Sequence, residues 1–165
     1  MAELTDNVNL FQQTGFKVLI DRKNYPNLEF FAQSVIHPGI TASAAEAPVS
    51  RIQSVPQPGD TLTFGELSFT ILLDEDFNSY IEMFNWMLRL VNRNNTTPYQ
   101  AITQDVVPTT SDIIVTGLTS HNNANKKFTY IDAFPTSMGD INFEANNPEY
   151  AVFNASFRFS YFEID

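Results

Sequence analysis

Apolar and polar residues alternate with a period of two over Leu67, Phe69, Ile71 and Leu73, the spacing of a strand that buries one face. The run stops at Asp74-Glu75-Asp76, where carboxylates suit the free N–H groups and the positive pole of a helix's first turn. Phe77, Tyr80, Ile81, Phe84, Met87, Leu88 and Val91 follow at steps of three and four. That spacing predicts a helix over about 75–92, with Phe77, Tyr80, Ile81, Phe84, Trp86 and Met87 as its core residues and Arg89 and Arg93 in its last turns. No other long helical pattern occurs in the chain.

Everything else in the pattern predicts strand or loop. Residues 1–15 carry no sustained period and are expected to form an N-terminal arm, with Leu4, Val8, Leu10 and Phe11 as possible anchors. Phe16, Val18 and Ile20 start a strand, Asn24-Tyr25-Pro26-Asn27 is rich in turn formers, and Leu28 to Val35 resumes the strand pattern, so a hairpin is expected. His37-Pro38-Gly39-Ile40 breaks it. Residues 41–60 are Ala, Ser, Pro and Gln without period, a long loop expected to reach another subunit. After the helix, Ile113 to Val115 predicts a short strand, 117–127 a polar loop, and Phe128, Tyr130, Asp132 and Phe134 one face of a further strand. A turn is expected over Pro135 to Asp140 and a short strand at Ile141 and Phe143. Ala151, Phe153, Ala155, Phe157, Phe159 and Tyr161 then share one face of a long final strand. The predicted class is mainly β, a small β-sandwich or barrel with one flanking α-helix, organised as a single domain over 16–165.

Composition narrows the function. Fifteen Phe against six Gly is the filling expected of paired sheets. Cysteine is absent, which removes disulfides, thiol nucleophiles and thiolate metal sites. The N-terminus lacks a basic and apolar leader, and no stretch has the ~18 apolar residues of a membrane span, so synthesis in the cytoplasm and no membrane partner are expected. The formal charge of −10 disfavours gripping nucleic acid, which needs Lys and Arg on phosphates. Asp74, Asp76 and Asn78 imitate the first places of a calcium loop, but Ser79 stands where Gly is required and Asn85 where a bidentate Glu is required. Two histidines, His37 and His121, exclude a multi-histidine centre. No phosphate loop, nucleophile elbow or zinc spacing is present. The expectation is a protein that is not an enzyme and takes no cofactor or metal.

The ordered set of features resembles the tail tube proteins of contractile-tailed bacteriophages, over about Phe16 to Glu163. The features are the strand pair ending in Pro38-Gly39-Ile40, the loop through Pro48-Val49, and Gly59-Asp60-Thr61-Leu62-Thr63-Phe64 leading to Asp74-Glu75-Asp76. They continue with the helix bearing Phe84-Asn85-Trp86, Ile131-Asp132-Ala133-Phe134-Pro135-Thr136-Ser137-Met138-Gly139, and the last strand closing on Tyr161-Phe162-Glu163. The resemblance implies a virion tail protein whose strands are shared in a hexameric ring to form a closed inner β-barrel, with rings stacked into a tube that conducts double-stranded DNA. Implied partners are further copies of the chain and the sheath, tape-measure and baseplate proteins. Pro38, Gly39, Ile40, Pro48, Val49, Arg51, Pro56 and Pro58 are candidate inter-subunit residues, and Asp132, Asp140 and Glu144 candidate lumen-lining acids. A baseplate tube-initiator, a secretion-system tube protein, and a β-sandwich carbohydrate-binding module remain alternatives.

Overall fold

The computed structural model describes residues 9–48, 54–91, 108–146 and 148–165. Among these, nine strands and two helices follow in order: β1 (Phe16–Leu19), α1 (Pro26–Phe30), β2 (Ala32–Ile36), β3 (Ile40–Pro48), β4 (Ser54–Phe64) and β5 (Leu67–Leu72). Then come α2 (Asn78–Val91), β6 (Ser111–Leu118), β7 (Ala124–Met138), β8 (Val152–Arg158) and β9 (Tyr161–Ile164). The molecule is mainly β, as its alternating patterns predict, with a second, short helix beside the expected one.

Seven strands make two facing layers, all paired antiparallel. One layer runs β1-β6-β7-β9 and the other β7-β8-β5-β2, so β7 belongs to both. The changeover is a bulge. Between the pairs Ser111↔Ala133 and Ile113↔Tyr130 the longer strand carries an extra residue, and Asp132 takes a positive φ of 54°. Asp112 Oδ1 accepts the Asp132 N–H at 3.1 Å, which holds the kink. The bulge also moves side chains to the other face: Tyr130 and Ala133 are both buried while Asp132 is exposed. Phe128, Tyr130, Asp132 and Phe134 therefore do not share one face, contrary to the strict alternation. The strand runs on through Pro135 to Met138 where a turn is expected, and no strand forms at Ile141 and Phe143.

Other departures have local causes. The predicted hairpin over Phe16 to Val35 does not form, because β1 pairs with β6 and β2 with β5. Pro26 suits the first helical position, and Glu82 of α2 accepts the N–H groups of Asn27 and Leu28, both at 3.1 Å, so a helical turn replaces the strand. The 117–127 loop shrinks to a tight turn between β6 and β7. The final strand breaks at Phe159-Ser160, where the Ser160 N–H is donated to Ile131 O at 3.0 Å and β9 swings across to pair with β7. Tyr161 is consequently exposed.

The core is aromatic. Trp86 is fully buried, stacked on Tyr25 at 4.1 Å between ring centres, packed on Phe157 at 5.5 Å, and donates its indole N–H to Thr109 O at 2.8 Å. Phe69 meets Phe157 edge-on at 5.5 Å, and Tyr80 meets Phe153 at 5.6 Å. The acidic turn caps α2 as expected: Asp74 accepts the N–H groups of Asn78 at 2.9 Å and Ser79 at 3.0 Å, and the Ser79 hydroxyl at 2.9 Å. Partial burial would raise the Asp74 pKa, but these hydrogen bonds outweigh it and hold the carboxyl below its ordinary range.

One correction concerns α2 itself. Its buried residues are Ser79, Met83 and Trp86, with Tyr80 and Met87 partly buried against them. Ile81 and Phe84, expected in the core, are 48% and 42% exposed. The helix carries apolar residues around much of its girth, and the sequence stripe that looked richest faces outward.

Candidate assembly surfaces

The segment expected to be a structureless loop is a two-stranded ribbon. β3 and β4 pair antiparallel from Ile40↔Phe64 out to Pro48↔Ser54. Almost every residue of both strands is exposed, so the ribbon needs no half-buried alternation, and its small and polar residues give none. A bulge between Ala42 and Ala44 places Ser43 against Gly59, where any Cβ would lie 2.1 Å from the Ser43 hydroxyl oxygen. Gly59 is thus required by close approach. Pro56 and Pro58, two apart and opposite Glu46 and Ala44, can keep this register only with their nitrogens turned outward. The free margin of β4 therefore lacks donors there and is a poor template for pairing, leaving β3 as the margin able to accept a further strand.

The root of the ribbon is fixed to the sandwich. Pro38 is buried, the Gly65 N–H is donated to Gly39 O at 2.9 Å, and Phe64 lies against Phe162 and Phe159 at 5.5 and 5.8 Å. His37 completes the cluster, with rings of Phe128 and Phe162 at 5.0 and 5.1 Å and Nδ1 2.6 Å from the Tyr130 hydroxyl. Partial loss of water around its ring lowers the His37 pKa although the residue as a whole is exposed, and burial raises that of Tyr130, so both are mainly neutral at pH 7. Of the candidate inter-subunit residues, Pro38 is thus an anchor. Gly39, Ile40, Pro48, Pro56 and Pro58 are exposed, and Val49 and Arg51 lie outside the described residues.

The candidate lumen acids Asp132, Asp140 and Glu144 are all exposed. They are not gathered: Asp132 sits at the β7 corner, on the order of 20 Å of strand from Asp140, which lies past the end of β7 near Glu144. Among the described residues no group of three or more His, Cys, Asp or Glu could hold a metal ion, and no helix is long and apolar enough to cross a membrane.

A feature invisible to the sequence patterns lies where the two layers part. β1 ends one layer and β2 the other, each paired on one side only. Between them opens a mainly apolar groove of about 750 Å³ lined by Phe16, Ile36, Val115 and Phe128 among others. A second hollow of about 480 Å³, lined by Lys17 and Arg22 among others, adjoins it at Phe16. The groove's residues come from four strands distant in sequence and from Phe11, Gln13 and Thr14 ahead of β1, so no local signal marks it.

This architecture is shared with components of contractile injection machines. The chain superposes on an anti-feeding prophage tube-terminating cap with a TM-score of 0.68 at 15% identity, covering 99% of this chain and 95% of that one. It superposes on a chain of the sheath-tube complex of the PVC extracellular contractile injection system with a TM-score of 0.67 at 15% identity, covering 96% and 93%. A chain of the PVC sheath/tube terminator gives 0.60 at 16% identity, covering 100% and 99%. Comparison of the sequence with curated proteins gave no match. The family model described as phage tail tube protein matches residues 3–165, and the chain belongs to that family of structural tube proteins.

Proposed function

We propose that this protein is the repeating subunit of a virion tail tube: six copies close a ring, rings stack, and the lumen conducts double-stranded DNA. The observation that carries this reading is the β3–β4 ribbon, exposed on both faces and rigidly rooted at Phe64 and Pro38. An isolated two-stranded ribbon is marginal in water, so a rooted one that projects is suited to a neighbouring copy. Closing a ring joins strands of neighbouring copies through free margins such as that of β9, giving an inner barrel without unpaired edges. Residues 41–60 and the arm at 1–15 then serve contacts between rings.

The acidic balance suits a conduit. With nineteen acidic and nine basic residues, the surface offers few cations for phosphates, and DNA passes without being held. Screening over ~8 Å at physiological salt means that only lining residues count, and Asp132, Asp140 and Glu144 are proposed among them. The sheath, tape-measure and baseplate proteins are the proposed partners, assembled in the host cytoplasm.

Electron microscopy of the purified chain tests the reading. Hollow tubes or sixfold rings are expected, and deletion of residues 41–58 should leave a folded subunit that no longer extends them. Rings that lengthen only with an added partner would point instead to a tube initiator. A strict monomer that binds glycans would overturn the tube altogether.

A further inference from the structure

Two apolar surfaces of this subunit are left uncovered by the described residues, and they share no residue. The first is the outer stripe of α2, where Phe77, Ile81, Phe84, Leu88 and Val91 recur at alternating steps of four and three, with Val91 76% exposed. That spacing is the seam of a helix meant to be covered, and over 14 residues it runs about 21 Å. Phe143, itself 76% exposed, stacks on Phe77 and extends the stripe beyond the helix's N-terminal end. Ile81, Phe84 and Val91 are exposed and Phe77 and Leu88 half-buried, and such a line is unlike the scattered apolar residues of an ordinary surface. The second surface is the groove between β1 and β2, whose five-residue β2 wall is itself on the order of 17 Å long.

We infer that the occupant of this groove is the α2 stripe of a second copy, so that ring neighbours meet, outside their shared strands, through a repeated contact of helix into sandwich mouth. Charge sets the direction. Lys17, exposed in the hollow that adjoins the groove at Phe16, has no ion-pair partner among the described residues, and neither do Glu75 and Asp76, exposed at the N-terminal end of the stripe. Laying the helix with its acidic end toward Lys17 pairs both. The helix also covers the unpaired margins of β1 and β2, a standard way of protecting sheet edges. Because the two surfaces differ, the contact is head-to-tail, and such a contact closes into a ring when the rotation per copy permits. This pairing rests on the tube reading and names its lateral interface, leaving the ribbon for contacts along the tube.

The test uses two variants at exposed positions, Ile81→Asp on the stripe and Ile36→Asp in the groove. Fluorescence of the single tryptophan, the buried Trp86, verifies that each still folds. Each change puts an unpaired charge into the proposed contact and should raise the ring-forming concentration by ~10-fold or more. An equimolar mixture is the decisive arm. The first variant keeps its groove and the second its stripe, so together they form one intact contact and should sediment as a two-chain species, not as rings. Rings formed by either variant at the wild-type concentration, or a mixture that stays monomeric, would overturn the pairing while leaving the tube intact. A wild-type chain that forms no rings at any concentration would instead remove the tube reading, and this pairing with it.

Discussion

The sandwich and the ribbon use the same backbone geometry for opposite ends. In the sandwich, strands carry Phe at alternate positions and bury them: Phe157 packs on Trp86, Phe69 on Phe157 and Phe153 on Tyr80, and the three Phe leave almost no surface to water. In the ribbon, alanines, prolines and hydroxyl residues also pair, but almost all of them stay exposed beyond Phe64. Strand pairing therefore does not by itself measure how firmly a segment is held. Burial supplies the stability of one region, and the other is kept in register by its root, by Gly59 and by its prolines.

That contrast can be pushed hardest in the core. Trp86→Ala removes a stacked and hydrogen-bonded indole from a closed site and should cost about 3–5 kcal/mol in urea unfolding, enough to unfold much of the population. A loss under 1 kcal/mol would mean that the sandwich is far looser than its packing. Asp74→Ala removes the acceptor of two helix amides and should cost about 1 kcal/mol, with Asp74→Asn recovering part of it. Its pH signature follows from a carboxyl held below its ordinary value: the contribution is present above the unfolded value near ~3.9 and is lost as pH falls through the lower folded one. In Asp74→Ala that part of the acid sensitivity should disappear.

The root of the ribbon should respond in a higher window. Partial desolvation against Phe128, Phe162 and Tyr130 lowers the His37 pKa, so the folded state binds fewer protons there than the unfolded chain. Stability from this site is present above the unfolded value near ~6.5 and is lost as pH falls below it. His37→Phe should flatten the stability profile just below pH ~6.5, and an unchanged slope would argue against the site. The smallest effect belongs to the ribbon: Ala45→Ser should change subunit stability by less than ~0.5 kcal/mol, and ribbon amides should exchange with deuterium ahead of those in β5 and β8. A protected ribbon in the dilute subunit would erase the contrast.

What could be read from sequence follows the same division. Period-two strands with a buried face, Leu67 to Leu72 and Val152 to Arg158, and the capped helix at 78–91 are local signals, and they appear where the pattern places them. The ribbon was hidden because strands exposed on both faces have no reason to alternate. α1 was hidden because its first amides are satisfied by Glu82, far along the chain. The outward turn of Ile81 and Phe84 was hidden because Met83 and Trp86 offer a competing apolar face, and only packing against Tyr25 and Phe157 decides between them. The groove has no sequence signature, since its walls meet only after folding.

The kink at Asp132 has a mechanical corollary. Because one continuous chain serves as a rung in both layers, neither can peel away without dragging the other through a covalent tether. Pulling on the subunit should therefore give a single rupture, and a filament built from such units would transmit axial load through the backbone at this corner rather than through side-chain friction alone.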